Sequence, residues 1–308
     1  MPLAPLQPSG TASYRGAAAR RLTECMHWLG SGFDRFGAEP VVPATLVSYQ
    51  DAGSWLDMAD DERLRFIDRR SGDVISLRAD LTTQVLALAE PGQRAMYWAQ
   101  GPVFRDSTML AGARRERYHA SFEILYDDPD FAISYSLLAA CWIAARALQD
   151  RWVLVLGHTD QLEPLQSRMG GYSIPGISDW PASWRSAGTG EIPACLHAVH
   201  QSGLLLPQLR RNRTLPPSRS YYQGWFFRLY VPGGVEPVIS GGQYRDPRTE
   251  GLIHAGFGLD IEQLAQTGRL PETRISLPET RSLLRADSEL GRRCVELWDQ
   301  GIRTRFAD

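Results

Sequence analysis

The run "GPVFRDSTMLAGARRERYHASFEILYDDPDFAISYSLLAACWIAARALQD", residues 101–150, does most to restrict the architecture. Residues 101–128 read as two apolar β-segments joined by a loop that holds Arg105, Arg114, Arg115 and Arg117. From Pro129 onward the pattern is one long helix, apolar enough to lie between a sheet and a partner. Asp and Pro in "YDDPDF" are what a turn and a helix entry require.

The rest of the chain repeats this alternation. Leu22, Cys25, Met26, Leu29 and Phe33 recur at helical spacing and predict a helix over about 14–36. "AEPVVPATLVS" reads extended, with Pro40 and Pro43 restricting any strand there to an edge or bulge. "LRFIDRRSGDVISLR" carries a hairpin signal around Ser-Gly-Asp, and Asp80 is placed to cap the helix "LTTQVLALAE", which Pro91-Gly92 closes. "RWVLVLG", "SYYQGWFFRLYVPG" and "EPVISGGQY" read as further strands, and "TDQLEPLQSRM" and "FGLDIEQLAQTG" as helices. Residues from about 160 to 215 include an irregular Gly-, Pro-, Ser- and Trp-rich insertion. The last thirty or so residues resemble strand, helix and the start of another strand. Strands joined by hairpins, with helices gathered to one side, predict an α+β fold around an antiparallel β-sheet flanked by helices.

Composition narrows the chemistry. All 33 basic residues are arginine, which excludes a Walker lysine, a Schiff base and a lysine general base. A formal net charge of -2 argues against a broad nucleic-acid grip, so no tRNA partner is expected. Neither a cationic leader nor a run of about 18 apolar residues is read, so no membrane association and a cytoplasmic location are expected. Cys25, Cys141, Cys195 and Cys294 lie far apart without a CxxC pair, as reduced thiols do. Cys195, His197 and His200 could share one helix face, but a zinc site needs more ligands than these, and neither a metal nor a cofactor is expected.

Two constellations remain. Arg105 sits where an apolar strand ends and offers a planar fork to carboxylate or phosphate; the alternative is a hairpin whose arginines face water. "SGGQY" sets Gly241 and Gly242 just after a strand, where backbone can approach a ligand, and Tyr221, Tyr222 and Tyr244 could wall such a pocket.

Together these segments resemble the catalytic core of the histidyl-tRNA synthetase family, a class II aminoacyl-tRNA synthetase fold, over most of the chain. "EPVVPATLVS" resembles its first motif, and the preceding helix would then sit at a dimer interface, implying a self-dimer. "LRADLT" resembles the segment that holds the amino group of histidine and maps onto Asp80 and Thr82. "GPVFRDSTMLAGARRERYHASFE" resembles the second motif: Arg105 matches the arginine on the ATP α-phosphate and Glu123 an acidic pocket residue, with His119 where the family has glutamine. "SYYQGWFFRLY" and "ISGGQY" align Tyr221, Tyr222, Gly241, Gly242 and Tyr244 with walls of the histidine pocket.

Two departures from the family stand out. Pro217 and Gln263 occupy positions where active synthetases carry arginines, and neutral side chains cannot hold a carboxylate and a triphosphate together. "YVPGGVEPVISGGQY" with "GFGLDI", including Asp260, looks most like the ATP phosphoribosyltransferase regulatory subunits, synthetase-like paralogs of histidine biosynthesis. That resemblance implies a non-catalytic chain with no catalytic residue of its own, required by the short-form catalytic subunit within a hetero-octamer and contributing to feedback inhibition by histidine. Arg105 would then be part of a vestigial nucleotide cradle. Two alternatives stay open: a truncated histidine-activating ligase, and a histidine sensor for another partner. The expected organisation is a synthetase-like core over 1–275 and a short β-α-β remnant of an anticodon-binding-like domain over 276–308.

Overall fold

The computed structural model describes residues 8–50, 63–106, 114–161, 194–204, 209–211, 221–249, 251–270, 281–284 and 290–306. Its main sheet has eight strands: β1 (Glu39–Pro40), β5 (Ala95–Phe104), β6 (Glu116–Leu125), β7 (Val153–His158), β8 (Leu209–Arg211), β9 (Tyr222–Tyr230), β10 (Ile239–Arg245) and β11 (Ile253–Asp260). Their spatial order is β1-β5-β6-β11-β10-β9-β7-β8, antiparallel from β5 to β7. The two outermost pairs are parallel, so the sheet is mixed rather than purely antiparallel. Pro40 sits in the short edge strand β1, where its missing N–H costs no ladder bond.

A three-stranded sheet pairs β2 (Leu46–Ser48), β4 (Val74–Leu77) and β3 (Arg65–Ile67), with the Ser-Gly-Asp turn joining the last two in sequence. A third, parallel pair joins β12 (Arg281–Leu284) and β13 (Arg303–Phe306).

Six α-helices are described: α1 (Ala17–Arg35), α2 (Thr82–Leu88), α3 (Pro129–Leu148), α4 (Ala194–Gln201), α5 (Ile261–Thr267) and α6 (Leu290–Asp299). Helix α3 starts on an Asp128 N-cap whose carboxylate accepts from the amides of Asp130 and Phe131, with Pro129 in the first turn. It is long and apolar enough to cross a bilayer, yet 78% of its apolar window is buried inside the protein. The sheet and helices of the same chain cover it. Ring stacking ties the layers together: Phe33 of α1 stacks on Phe122 of β6 with centroids 5.8 Å apart, and Trp28 on Trp142 at 5.9 Å.

The structure corrects the expected helix over "FGLDIEQLAQTG". Phe257 to Asp260 complete β11, a central strand between β6 and β10, and α5 begins only at Ile261. Glycines at 256 and 258 lower strand propensity and hide such a strand from sequence patterning. Of "TDQLEPLQSRM", only the single 3₁₀ turn Thr159–Gln161 belongs to the described residues. Most of the expected insertion lies outside them as well.

Helix α6 shares the core of everything before it. Trp298 is fully buried, 4.4 Å centroid to centroid from Phe36 and 5.7 Å from Tyr135, and Cys294 and Val295 join the same cluster.

Candidate functional site

Strand β6 is the platform. Alternation sends Phe122 and Ile124 into the core and turns Arg117, His119, Ser121 and Glu123 to the opposite face, where they line a cavity of about 450 Å³. Asp260, Gly256 and Gly258 of β11, with Ser240 and Tyr244 of β10, continue this floor. Asp80 and Thr82, at the start of α2, close one side, and Arg105, at the end of β5, faces in from another.

The deep end is acidic and fully buried. Glu123 is 1% exposed, and both its oxygens accept hydrogen bonds, Oε1 from the Thr82 hydroxyl at 2.6 Å and Oε2 from the Tyr244 phenol at 2.7 Å. Burial pushes its carboxyl up to about 8; the two hydroxyls oppose this, and the charge on Asp80 adds to it. The Tyr244 phenol is also pushed well up, first by burial and then by Glu123. Asp80 is held by α2, its Oδ1 accepting from the Thr83 amide at 3.0 Å and the Thr83 hydroxyl at 2.8 Å. This is the capping role expected of it.

The outer end is rich in arginine, and three of those arginines lie in ion pairs with carboxylates. Arg114 pairs with Glu262, Arg115 Nε lies 2.9 Å from Asp106, and Arg117 pairs with Glu236, with Asp260 3.7 Å away. Arg105 donates from Nε to the Ala79 carbonyl at 2.9 Å. Among the described residues, Arg114, Arg115 and Arg117 are thus engaged by acids of the chain rather than simply facing water. A guanidinium ion-paired with an internal acid keeps its charge, but the neighbouring carboxylate offsets its attraction for a phosphate and occupies part of its donor edge.

The cavity brings together Asp80, Thr82, Arg105, His119, Glu123, Tyr221, Tyr222 and Tyr244 from five separate stretches of sequence. It does not include Gly241 and Gly242, which sequence reasoning placed at its wall. These glycines serve strand packing. A Cβ on Gly241 would sit 2.5 Å from the Gly256 carbonyl oxygen and 2.6 Å from Phe227 and Phe257, and one on Gly242 2.8 Å from Phe226. Gly256 is the glycine the site depends on, because a side chain there would run into the Glu123 carboxylate and lie 2.6 Å from the Phe122 carbonyl oxygen. Its signal was the "HAGFGLD" stretch, obscured by reading part of it as helix. Glu236 was also missed, since nothing in a turn sequence says which way a glutamate points.

Gln263 is not among the residues lining the cavity; its amide donates to the carbonyl of the lining residue Glu236 at 3.2 Å. Pro217 lies outside the described residues. On α4, Cys195 is buried while His197 and His200 are exposed, so the three do not share a face. Gln243 is a structural residue, accepting from the Trp225 amide at 2.8 Å and donating to the Pro129 carbonyl at 3.0 Å.

The sequence profile described as histidyl-tRNA synthetase matches residues 10–171, more than half of the 308. The chain belongs to the histidyl-tRNA synthetase family. Among its curated relatives, an ATP phosphoribosyltransferase regulatory subunit of Lacticaseibacillus paracasei is 23% identical, with 86% of this chain and 82% of the relative covered. Another of the same description, from Thermus thermophilus, is 25% identical with 86% and 84% covered. A histidine–tRNA ligase of Francisella philomiragia is 29% identical over a shorter stretch, 35% of this chain and 27% of its own. The fold matches a solved ATP phosphoribosyltransferase regulatory subunit/histidyl-tRNA synthetase from Bacillus halodurans, with a TM-score of 0.63 at 14% identity over 99% of this chain and 94% of that one. In this synthetase-family chain the cavity lies on one face of the antiparallel strands, and the long core helix α3 packs on the other.

Proposed function

We propose that this synthetase-family chain is a non-catalytic regulatory subunit of ATP phosphoribosyltransferase. The observation that carries the reading is the state of the arginine end of the cavity: Arg114, Arg115 and Arg117 are each ion-paired with a carboxylate of the chain itself. Adenylation requires cations free to neutralise charge developing on phosphate. The neutral residues Pro217 and Gln263 point the same way, and relatives of the regulatory description cover most of the chain.

In this reading the chain works in the cytoplasm, dimerises, and joins the short-form catalytic subunit in a hetero-octamer. The inherited pocket around Asp80, Thr82, His119, Glu123, Tyr221, Tyr222 and Tyr244 takes histidine as an effector rather than a substrate. An amino-acid pocket can bias an assembly between two states when the ligand binds one of them better, and about 1–3 kcal/mol of coupling suffices. The pocket is tight at Glu123, whose oxygens already accept from Thr82 and Tyr244, so histidine binding to the isolated chain is expected to be weak.

The test mixes the purified chain with a short-form catalytic subunit and measures phosphoribosyl-ATP formation. A stable complex with a raised rate is expected; neither complex nor activation would overturn the reading. Histidine-dependent pyrophosphate exchange by the chain alone would favour the ligase alternative instead.

A further inference from the structure

Arg117 on β6 and Glu236 in the loop between β9 and β10 meet at the open end of the cavity. Two nitrogens of the guanidinium reach the carboxylate, Nη1 toward Oε2 and Nη2 toward Oε1 at 3.4 Å. The hydrogen bond from Arg117, together with its charge and that of Arg105, holds the Glu236 carboxyl below the usual carboxylate range. A guanidinium fork gripping a two-oxygen anion is how arginine binds a ligand's carboxylate or phosphate. Here the chain supplies the anion.

The loop that delivers it is anchored rather than loose. Gln263 Nε2 donates to the Glu236 carbonyl at 3.2 Å, and the Gly234 amide donates to the Val231 carbonyl at 3.0 Å. Gly233 takes a left-handed φ of 79°, which tightens the turn, and Pro237 restricts the backbone of Glu236 itself. The Glu236 side chain remains 60% exposed, so its ion pair adds little to folding. Its effect falls on what can enter.

We propose that Glu236 is an internal anion that occupies the anion-binding end of the cavity and sets its selectivity, admitting neutral and zwitterionic molecules and turning away polyphosphates. A polyphosphate reaching Arg117 must displace the Glu236 carboxylate and then tolerate it as a like charge a few ångströms away. A zwitterion with a single carboxylate faces much less repulsion. The inference rests on reading the cavity as one that no longer handles a triphosphate, and it identifies the residue that enforces this.

The experiment titrates inorganic tripolyphosphate and, separately, ATP into the full chain by calorimetry at low ionic strength. Wild type, Glu236→Gln, Glu236→Ala and the double variant Glu236→Gln/Arg117→Gln are compared, with matching melting curves. Both single variants are expected to bind tripolyphosphate at least ten-fold more tightly than wild type, ATP to gain by a similar factor, and the double variant to lose the gain. Equal affinities in wild type and single variants, a gain confined to ATP, or a gain that survives loss of Arg117 would overturn the proposal. Activation of a phosphoribosyltransferase catalytic subunit is read in a different assay, so this inference and the proposed function can fail separately.

Discussion

Glu123 stores the cost of the cavity in a single carboxyl group. Its folded value, about 8, lies above the ordinary 4.5, so the folded chain holds a proton that the unfolded chain releases across that interval. Stability is therefore expected to fall as pH rises from about 4.5 toward 8, with a slope approaching ~1.4 kcal/mol per unit from this group. Thermal melts across that range should show the decline in wild type and a shallower one in Glu123→Gln; parallel profiles would contradict the assignment. Gly256 carries a steric counterpart. Gly256→Ala places a methyl group 2.6 Å from the Phe122 carbonyl oxygen and against Glu123, and should cost ~1–3 kcal/mol in urea unfolding. Both effects belong to residues whose neighbours come from distant parts of the chain.

Elements are set more locally. Helix α3 follows from sequence alone because an N-cap aspartate, a first-turn proline and an unbroken apolar run act within one segment. Asp128→Ala removes the acceptor for two backbone amides and should lower stability by ~1 kcal/mol, measurable as a shifted denaturation midpoint with an unchanged slope. Strand β11 shows the opposite case. Its glycines are unfavourable for an isolated strand, and its place is held by backbone pairing with β6 on one side and β10 on the other, together with Ala255, Phe257 and Leu259 buried in the core.

For the whole molecule, the C-terminal helix α6 is expected to be integral. Trp298 fills a pocket built from Phe36, Tyr135 and Trp142, contributed by helix α3 and the turn after α1. Trp298→Ala should cost ~3–5 kcal/mol, a large share of the stability of an ordinary domain, and a chain ending at residue 275 should fail to give a sharp melting transition. A truncated chain that melts as sharply as the full one would show the β12-α6-β13 segment to be dispensable.

Hairpins, the capped core helix, and the mixture of strands and helices are legible from residue order, because turn chemistry, capping and alternation act over a few positions. Asp80, Glu123 and Tyr244 could be picked out by their resemblance to a family, but their hydrogen bonds could not. Packing of the sheet assigned Gly241 and Gly242 to strand contacts, made Gly256 the glycine beside Glu123, and put Glu236 on Arg117. Those outcomes depend on which strands lie side by side and which way a loop turns, and pairing across more than a hundred residues leaves no local trace in the chain.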